Sequence, residues 1–276
     1  ADSQGYVGAE TCMSCHQPEA RGYDRSAHAR VFDPRTPAGA KGCESCHGPG
    51  ARHIANPGDK GALRIFGAMS PRDASSACMT CHNRQEHANW QGGMHDARNV
   101  TCVNCHSIHA PKSEKGHLKG ATTVETCATC HRTQASKIQR ASHMPVREGK
   151  MDCATCHNMH GSTNGALLRA GNSTTEFCVS CHAEKRGPFL WDHAPVRENC
   201  VTCHDPHGSS NDRMLIVKAP MLCQRCHNSR RTGHQSAVYD GAALAANNLR
   251  LINRGCVNCH SNIHGSNSPS GQYFQR

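Results

Sequence analysis

Ten short sequences of one type, Cys-x-x-Cys-His, contain the most reactive side chains of this chain. They use all 20 cysteines of the 276 residues, and they begin at Cys12, Cys43, Cys78, Cys102, Cys127, Cys153, Cys178, Cys200, Cys223 and Cys256. This spacing lets two thiols form thioether bonds to the two vinyl groups of one haem, while the following histidine lies under the iron. The sequence therefore predicts ten covalently attached c-type haems.

The second thioether of each haem is expected from the cysteine three residues later, and the proximal iron ligand from the next residue. These cysteines are Cys15, Cys46, Cys81, Cys105, Cys130, Cys156, Cys181, Cys203, Cys226 and Cys259. The proximal histidines are His16, His47, His82, His106, His131, His157, His182, His204, His227 and His260. Zinc ribbons and thioredoxin-like sites also use Cys-x-x-Cys, but they do not require histidine at the next position. Its presence in all ten motifs favours haem.

An internal repeat sorts the histidines that remain. The chain divides into five di-haem modules at approximately 12–53, 78–109, 127–160, 178–207 and 223–264, within one continuous domain, 1–276. Each module supplies two candidate distal ligands: His28, His53, His95, His109, His143, His160, His193, His207, His234 and His264. Every iron would then have two histidine ligands. The sequence leaves open which distal histidine reaches which iron.

Two histidines fall outside this repeat. His87 competes with His95 for the distal role in module two, and His117 has no place in the pattern. We interpret both as surface residues or as hydrogen-bond partners of haem propionates.

The elements that hold these motifs are expected to be short. Aromatic residues make up only 4% of the chain, and the hydrophobic 36% already includes the cysteines, so side chains alone form a thin core. We predict mostly irregular coil with short α-helices at the motifs, little or no β-structure, and an elongated rod around a core of stacked haems. Glycine follows His160, His207 and His264, which indicates tight backbone turns beside a macrocycle.

Charge and hydropathy narrow the function classes. The formal net charge is +10, and the two propionates of each haem would bring the holoprotein to about −10, with lysine and arginine as propionate partners. No nucleic-acid-binding motif is present, so no nucleic acid is expected as a partner. No apolar run approaches the roughly 20 residues of a membrane helix. The start at Ala1-Asp2-Ser3 is expected to follow removal of a signal peptide, which places the protein in the periplasm or beyond.

An iron with two histidine ligands has no open position for a substrate, so the pattern favours an electron carrier over an enzyme. A multihaem reductase would need a variant motif such as Cys-x-x-Cys-Lys or too few distal ligands, and neither is seen. Two further alternatives remain, a subunit of an extracellular cytochrome filament and a soluble periplasmic shuttle.

Several longer stretches resemble a known family. They are Cys43-Glu44-Ser45-Cys46-His47-Gly48-Pro49-Gly50 followed by His53, Trp90-Gln91-Gly92-Gly93 with His95, Ala183-Glu184-Lys185-Arg186-Gly187-Pro188 with Trp191-Asp192-His193-Ala194-Pro195-Val196, and the ending from His264-Gly265-Ser266-Asn267 to Gln275-Arg276. They are similar to the DmsE-type decahaem cytochromes of the MtrA/MtoA/PioA family. The resemblance runs from the first motif to the C-terminus.

This resemblance implies a role and partners. Members of the family lie inside an outer-membrane β-barrel porin and carry electrons between the periplasm and the cell exterior, in extracellular metal reduction or iron oxidation. The implied partners are the porin, periplasmic or inner-membrane cytochromes, and a multihaem cytochrome on the outer surface. The distal histidines of the family match the ten chosen from the repeat, whereas His117 has no counterpart.

Overall fold

The computed structural model of the chain describes residues 2–59, 61–227 and 255–275. Within these ranges, short α-helices alternate with turns and irregular loops. They are α1 (Ala9–Met13), α2 (Gln17–Asp24), α3 (Glu44–His47), α4 (Ala51–Ala55), α5 (Pro71–Met79), α6 (Cys102–Cys105), α7 (Thr123–Ala128), α8 (Arg132–Lys137), α9 (Cys153–Cys156), α10 (Thr174–Val179), α11 (Ala194–Glu198) and α12 (Met221–Gln224). The longest of them, α5, has nine residues.

Single turns of 3-10 helix supplement the α-helices. They are Ala27–Ala29, Gln85–His87, Asp96–Arg98, Gly165–Leu167, Ala183–Lys185, Cys200–Thr202, Asp212–Met214, Cys256–Asn258 and Gly271–Tyr273. The described ranges contain no β-strand, only isolated bridges such as His106 with Leu118 and His204 with Leu215. The predicted fold class, short helices in irregular coil without sheet, is confirmed.

Hydroxyl side chains start the helices that lead into three of the motifs. The hydroxyls of Ser70, Thr122 and Ser173 accept hydrogen bonds from the backbone N–H groups of Asp73, Glu125 and Glu176 at 3.1–3.2 Å. Such caps satisfy N–H groups that have no partner inside a helix. Because the cap fixes where each helix begins, it also fixes the position of the cysteine near the end of α5, α7 and α10.

Apolar side chains build almost no core. Among the described residues, only Ala74, Trp90 and Ile138 are buried apolar side chains, with exposed fractions of 1%, 6% and 7%. A soluble chain of this length normally buries many more. Apolar side chains of the described residues therefore supply little of an interior, which agrees with the haem-filled core expected from the sequence.

The chain forms two compact units. The first contains Ala1–His131 and Asp152–Thr163, and the second contains Arg132–Met151 and Asn164–Arg276. The first unit carries the motifs from Cys12 to Cys153, and the second carries those from Cys178 to Cys256. Module three contributes residues to both units. The single domain with five modules stays a prediction.

The loops that follow second motifs fold back in a repeated way. The N–H of Ser107, just after one motif, donates to the carbonyl of His117 at 2.8 Å, and that of Asp205, just after another, donates to the carbonyl of Met214 at 2.8 Å. Both acceptor residues have left-handed backbone angles, with φ of 50° and 56°. His117 and Met214 therefore occupy matching places in two modules.

Candidate functional site

Each Cys-x-x-Cys-His motif forms one helical turn. In all ten motifs, the N–H of the histidine donates to the carbonyl of the first cysteine at 2.9–3.1 Å. All twenty cysteines lie among the described residues. The turn brings two thiols and one imidazole together, as covalent attachment of a haem requires.

Seven of the proximal histidines face a histidine that the repeat selected as a distal ligand. The pairs and their ring-centroid separations are His16 with His53 (6.2 Å), His82 with His28 (5.9 Å), His47 with His109 (5.9 Å), His131 with His95 (6.1 Å), His106 with His160 (6.0 Å), His227 with His193 (6.1 Å) and His204 with His264 (6.1 Å). In module two, His95 and not His87 faces His131.

These separations fit an iron between the rings. An imidazole nitrogen binds a first-row metal at about 2.0 Å, and the ring centroid lies roughly 1.1 Å behind it, so two ligands of one iron have centroids about 6 Å apart. All seven observed separations lie at this value. The residues present therefore fit a haem iron with two histidine ligands.

The facing histidines come mostly from different modules. His28 of module one faces His82 of module two, and His109 of module two faces His47 of module one. Among the seven pairs, only His16 with His53 joins two residues of one module. Neighbouring modules are therefore interlocked through these histidine pairs, an arrangement that local spacing in the sequence did not reveal.

Cysteines of several consecutive motifs lie near one another, and the pairs alternate between first and second cysteines. First cysteines are hydrogen-bonded in the pairs Cys12 with Cys43, Cys78 with Cys102, Cys127 with Cys153 and Cys223 with Cys256. Second cysteines interact in the pairs Cys46 with Cys81, Cys105 with Cys130 and Cys203 with Cys226. Burial and the neighbouring Cys43 thiol raise the pKa of Cys12 to about 11. The consecutive motifs joined by these pairs are therefore neighbours in space.

Backbone carbonyls fix the orientation of several facing histidines. The Nδ1–H groups of His47, His95, His109 and His204 donate to the carbonyls of Arg64, Met159, Glu19 and Arg213 at 2.9, 2.9, 3.2 and 2.7 Å. Such a bond leaves Nε2 free for a metal and raises the basicity of the ligand. Burial lowers the pKa of His160 to about 4, which keeps this imidazole in the neutral form that binds metal.

Three predicted distal ligands are not part of these seven pairs. His143 donates from Nδ1 to the carbonyl of Arg140 at 2.5 Å, and its Nε2 lies 3.0 Å from a carboxylate oxygen of Glu148. The backbone N–H of His207 donates to Asp205 at 3.1 Å. His234 lies outside the described residues.

The two histidines outside the repeat lie beside predicted haem-binding residues, and their interpretation as surface residues or propionate partners stays a prediction. The ring of His87 is 4.2 Å from that of His160 and 5.5 Å from that of His82. The ring of His117 is 6.1 Å from that of His28. Both are only partly exposed. No local signal in the sequence marks this position, because the neighbouring histidines come from distant motifs.

No helix in the described ranges combines the length and apolar character that a membrane-spanning segment needs.

Comparison with known proteins identifies related cytochromes. Residues 143–187 and 193–232 match the doubled CXXCH motif, and residues 43–130 match the family of cytochrome c-type proteins like NrfB. The multiheme cytochrome MtrA of Shewanella baltica (strain OS185) is 42% identical over 98% of this chain and 81% of its own length. The cytochrome c-type protein NrfB of Escherichia coli O6:H1 is 30% identical over 45% of this chain and 65% of its own. NrfB of Haemophilus influenzae is 25% identical over 32% of this chain and 46% of its own.

The long match to MtrA extends over 98% of the chain, and the two family matches fall on the eight motifs that begin from Cys43 to Cys223. Several covalently bound c-type haems are therefore present, and their chemistry is the transfer of electrons. The chain belongs to the MtrA family of multihaem c-type cytochromes, and it is an electron carrier rather than an enzyme.

Proposed function

We propose that the chain holds ten c-type haems, each iron between two histidines, and passes electrons from haem to haem in the order of the motifs. The observation that carries this proposal is the set of seven facing histidine pairs at 5.9–6.2 Å. Two histidines on each iron would let the iron change oxidation state with its ligands in place. The haem supplies the one-electron chemistry, and the chain determines its position and surroundings.

The remaining irons belong to the motifs that end in His157, His182 and His260. Their opposite ligands would come from the three remaining predicted residues, His143, His207 and His234. The Nδ1 atom of His143 donates to a backbone carbonyl, as it does in several facing histidines, and this leaves Nε2 to the iron. Glu148 would then move away from Nε2 when haem is attached.

The alternating cysteine pairs support this order of transfer. Each haem would be tied to its motif by two thioethers, so motifs whose cysteines are paired would hold neighbouring macrocycles. Within the first unit, pairs of this kind run through the motifs one after another from Cys12 to Cys153. Tunnelling rates fall steeply with distance, so electrons would move between neighbours rather than skip motifs.

The proposed partner is a β-barrel porin of the outer membrane, with the cytochrome held inside it and exported to the periplasm beforehand. The support is the 42% identity to MtrA over 98% of the chain, together with the motifs of that family. Irregular loops cannot face lipid because their backbone groups would lack hydrogen-bond partners. Barrels of roughly 22 strands that contain a plug are known in outer membranes. Periplasmic or inner-membrane cytochromes and an outer-surface multihaem cytochrome would be the redox partners, in metal reduction or iron oxidation.

Two measurements test this proposal. The intact mass should equal the chain plus ten haems, and the spectrum should be entirely that of six-coordinate low-spin iron. Native protein solubilised from outer membranes should co-purify with a large β-barrel protein. Stoichiometric binding of carbon monoxide after reduction would contradict two histidines on every iron. Recovery of all the protein free in the periplasm would contradict the porin partner.

A further inference from the structure

The two histidines outside the repeat lie beside the same pair of haem motifs, those at Cys78 and Cys102. His87 contacts His160, which faces the iron site of Cys102, and lies next to His82 of the Cys78 motif. His117 lies beside His28, which faces the iron site of Cys78. Each distal ligand of this motif pair therefore has an additional imidazole next to it.

The position of His117 is occupied by apolar residues elsewhere. The proximal histidines His106, His204 and His260 donate from Nδ1 to the backbone carbonyls of Gly116, Arg213 and Tyr273. The residue that follows each of these carbonyls has left-handed backbone angles, and these residues are His117, Met214 and Phe274. The three left-handed residues have φ between 50° and 56°. Phe274 lies 5.5 Å from the ring of His193, as His117 lies beside His28. His117 is thus a polar residue at a position where Met214 and Phe274 are apolar.

His87 is held against His160 by contacts between their two segments. The side chain of Asn158 donates to the carbonyl of Glu86 at 3.0 Å and to that of Gly161 at 2.7 Å. A Cβ atom on Gly161 would overlap the carbonyl oxygen of Asn89. These contacts flank both histidines, so the separation of 4.2 Å between their rings is set by the backbone and not by a loose side chain.

The Nδ1 atoms of His28 and His160, the ligands beside these two histidines, have no hydrogen-bond partner among the described residues. Both atoms are buried, and within the same described part of the chain Nδ1 of His117 is also buried with no hydrogen-bond partner. His193 shares this property, but its neighbour is Phe274 rather than a histidine. A ligating histidine normally donates its second N–H to an acceptor, and the polarity around the ligand tunes the potential of the iron. A neutral imidazole supplies both polarity and an acceptor nitrogen.

We propose that His87 and His117 are positioning residues that lower the reduction potentials of the haems at Cys78 and Cys102 by making the surroundings of the ligands His160 and His28 more polar. The inference rests on the proposed function, because it takes His160 and His28 as iron ligands. Polar surroundings stabilise the ferric iron, which carries the extra positive charge, more than the ferrous iron. Removal of either imidazole should therefore raise the potential of the nearer haem.

The test is a redox titration of the ten-haem protein and its variants, followed by optical and electron paramagnetic resonance spectroscopy. It is run near pH 8, above the ordinary histidine pKa of about 6.5, so that free imidazoles are neutral. His117→Met introduces the residue found at the matching position, Met214. His87→Phe keeps an aromatic ring but removes both nitrogens. His117→Gln restores a polar group, and Met214→Leu is the matched control.

His117→Met and His87→Phe should each retain ten haems by mass and remain fully low-spin. In each variant, one haem should have a higher reduction potential and a changed low-spin signal. The double variant should raise two haem potentials. In His117→Gln the potential should return towards that of the unaltered protein, and in Met214→Leu no potential should change. Unchanged or lower potentials in both single variants would overturn the proposal. So would a lost haem or a high-spin signal, because the histidine would then be a ligand or a structural residue. The haem count and spin state of the unaltered protein test the proposed function separately.

Discussion

Hydrogen bonds at Nδ1 orient some of the facing histidines. In His47 and His204, Nδ1 is bonded to a backbone carbonyl at 2.9 and 2.7 Å, and Nε2 points away from that bond. Such a ring has one orientation and one free nitrogen, which suits an iron ligand. The ring of His87 packs at 4.2 Å against the facing histidine His160, whose Nδ1 has no hydrogen-bond partner among the described residues. A hydrogen bond at Nδ1 therefore orients some of the facing histidines but is not shared by all of them.

The choice between His95 and His87 in module two leads to a first prediction. His95→Ala should leave ten haems by mass but convert one of them to a high-spin form that binds carbon monoxide when reduced. The reason is that the His95 ring lies 6.1 Å from the proximal His131. His87→Ala is the control and should stay low-spin. A high-spin signal in His87→Ala but not in His95→Ala would reverse the assignment.

Glu44 leads to a second prediction, on pH. Its carboxylate is 4% exposed and accepts N–H groups from Val7 and Gly8 at 3.0 Å and from Gly50 at 2.7 Å. Burial alone would raise the pKa of Glu44, but these bonds outweigh it and hold the pKa below its usual range. The stabilisation is therefore complete above the unfolded-state pKa and is lost as pH falls through the lower folded-state pKa.

Glu44→Gln should destabilise the N-terminal segment at neutral pH by about 1–3 kcal/mol. Amide hydrogen exchange at Val7, Gly8 and Gly50 should report this loss, and the difference from the unaltered protein should shrink in acid. Glu10→Gln, at an exposed position, is the control. Equal exchange rates in both variants at neutral pH would show that Glu44 does not hold this segment.

At the scale of elements, the glycines after distal histidines also let the backbone approach other segments of the protein. Gly161, Gly208 and Gly265 have left-handed φ angles of 123°, 129° and 138°. A Cβ atom would overlap the backbone of Asn89 at Gly161, the backbone of Lys137 at Gly208, and the ring of Phe189 at Gly265. The predicted tight turns are present, and the close approach is to other segments of the protein. These glycines let two loops pack where no side-chain core exists.

Gly161→Ala is the third prediction. The new Cβ would push the segment of His160 away from Asn89, at a cost of about 1–3 kcal/mol for overpacking, with strain at the left-handed φ in addition. We expect a lower melting temperature and a weakened ligand at the Cys102 haem, seen as a high-spin fraction in the absorption spectrum. Gly165→Ala, where a Cβ would meet nothing within 4 Å, should change neither property.

At the scale of the whole molecule, haem replaces the apolar core. Three buried apolar side chains among the described residues cannot offset the conformational entropy of ordering so long a chain. The fourth prediction is that the chain made without haem attachment has no cooperative thermal unfolding transition and exchanges nearly all amide protons within seconds. Circular dichroism and hydrogen exchange measure this. A cooperative transition in the haem-free chain would show that the protein has a core of its own.

Features that depend on residues close together in the chain could be predicted from the sequence. The Cys-x-x-Cys-His turn is closed by one bond between residues four apart, so the positions of the motifs and their helical turns follow from spacing. Low apolar content, with no strand pattern, was enough to predict the irregular fold without sheet. The cap hydroxyls of Ser70, Thr122 and Ser173 are likewise visible in the sequence, because each acts on the turn that follows it.

The tertiary structure decided which imidazoles face one another. His28 faces His82 and His109 faces His47, and no local rule connects residues so far apart in the chain. Only the folding of loops from neighbouring modules around one site brings them together. The same reason explains why His87 and His117 resembled surface residues in the sequence but lie beside His160 and His28.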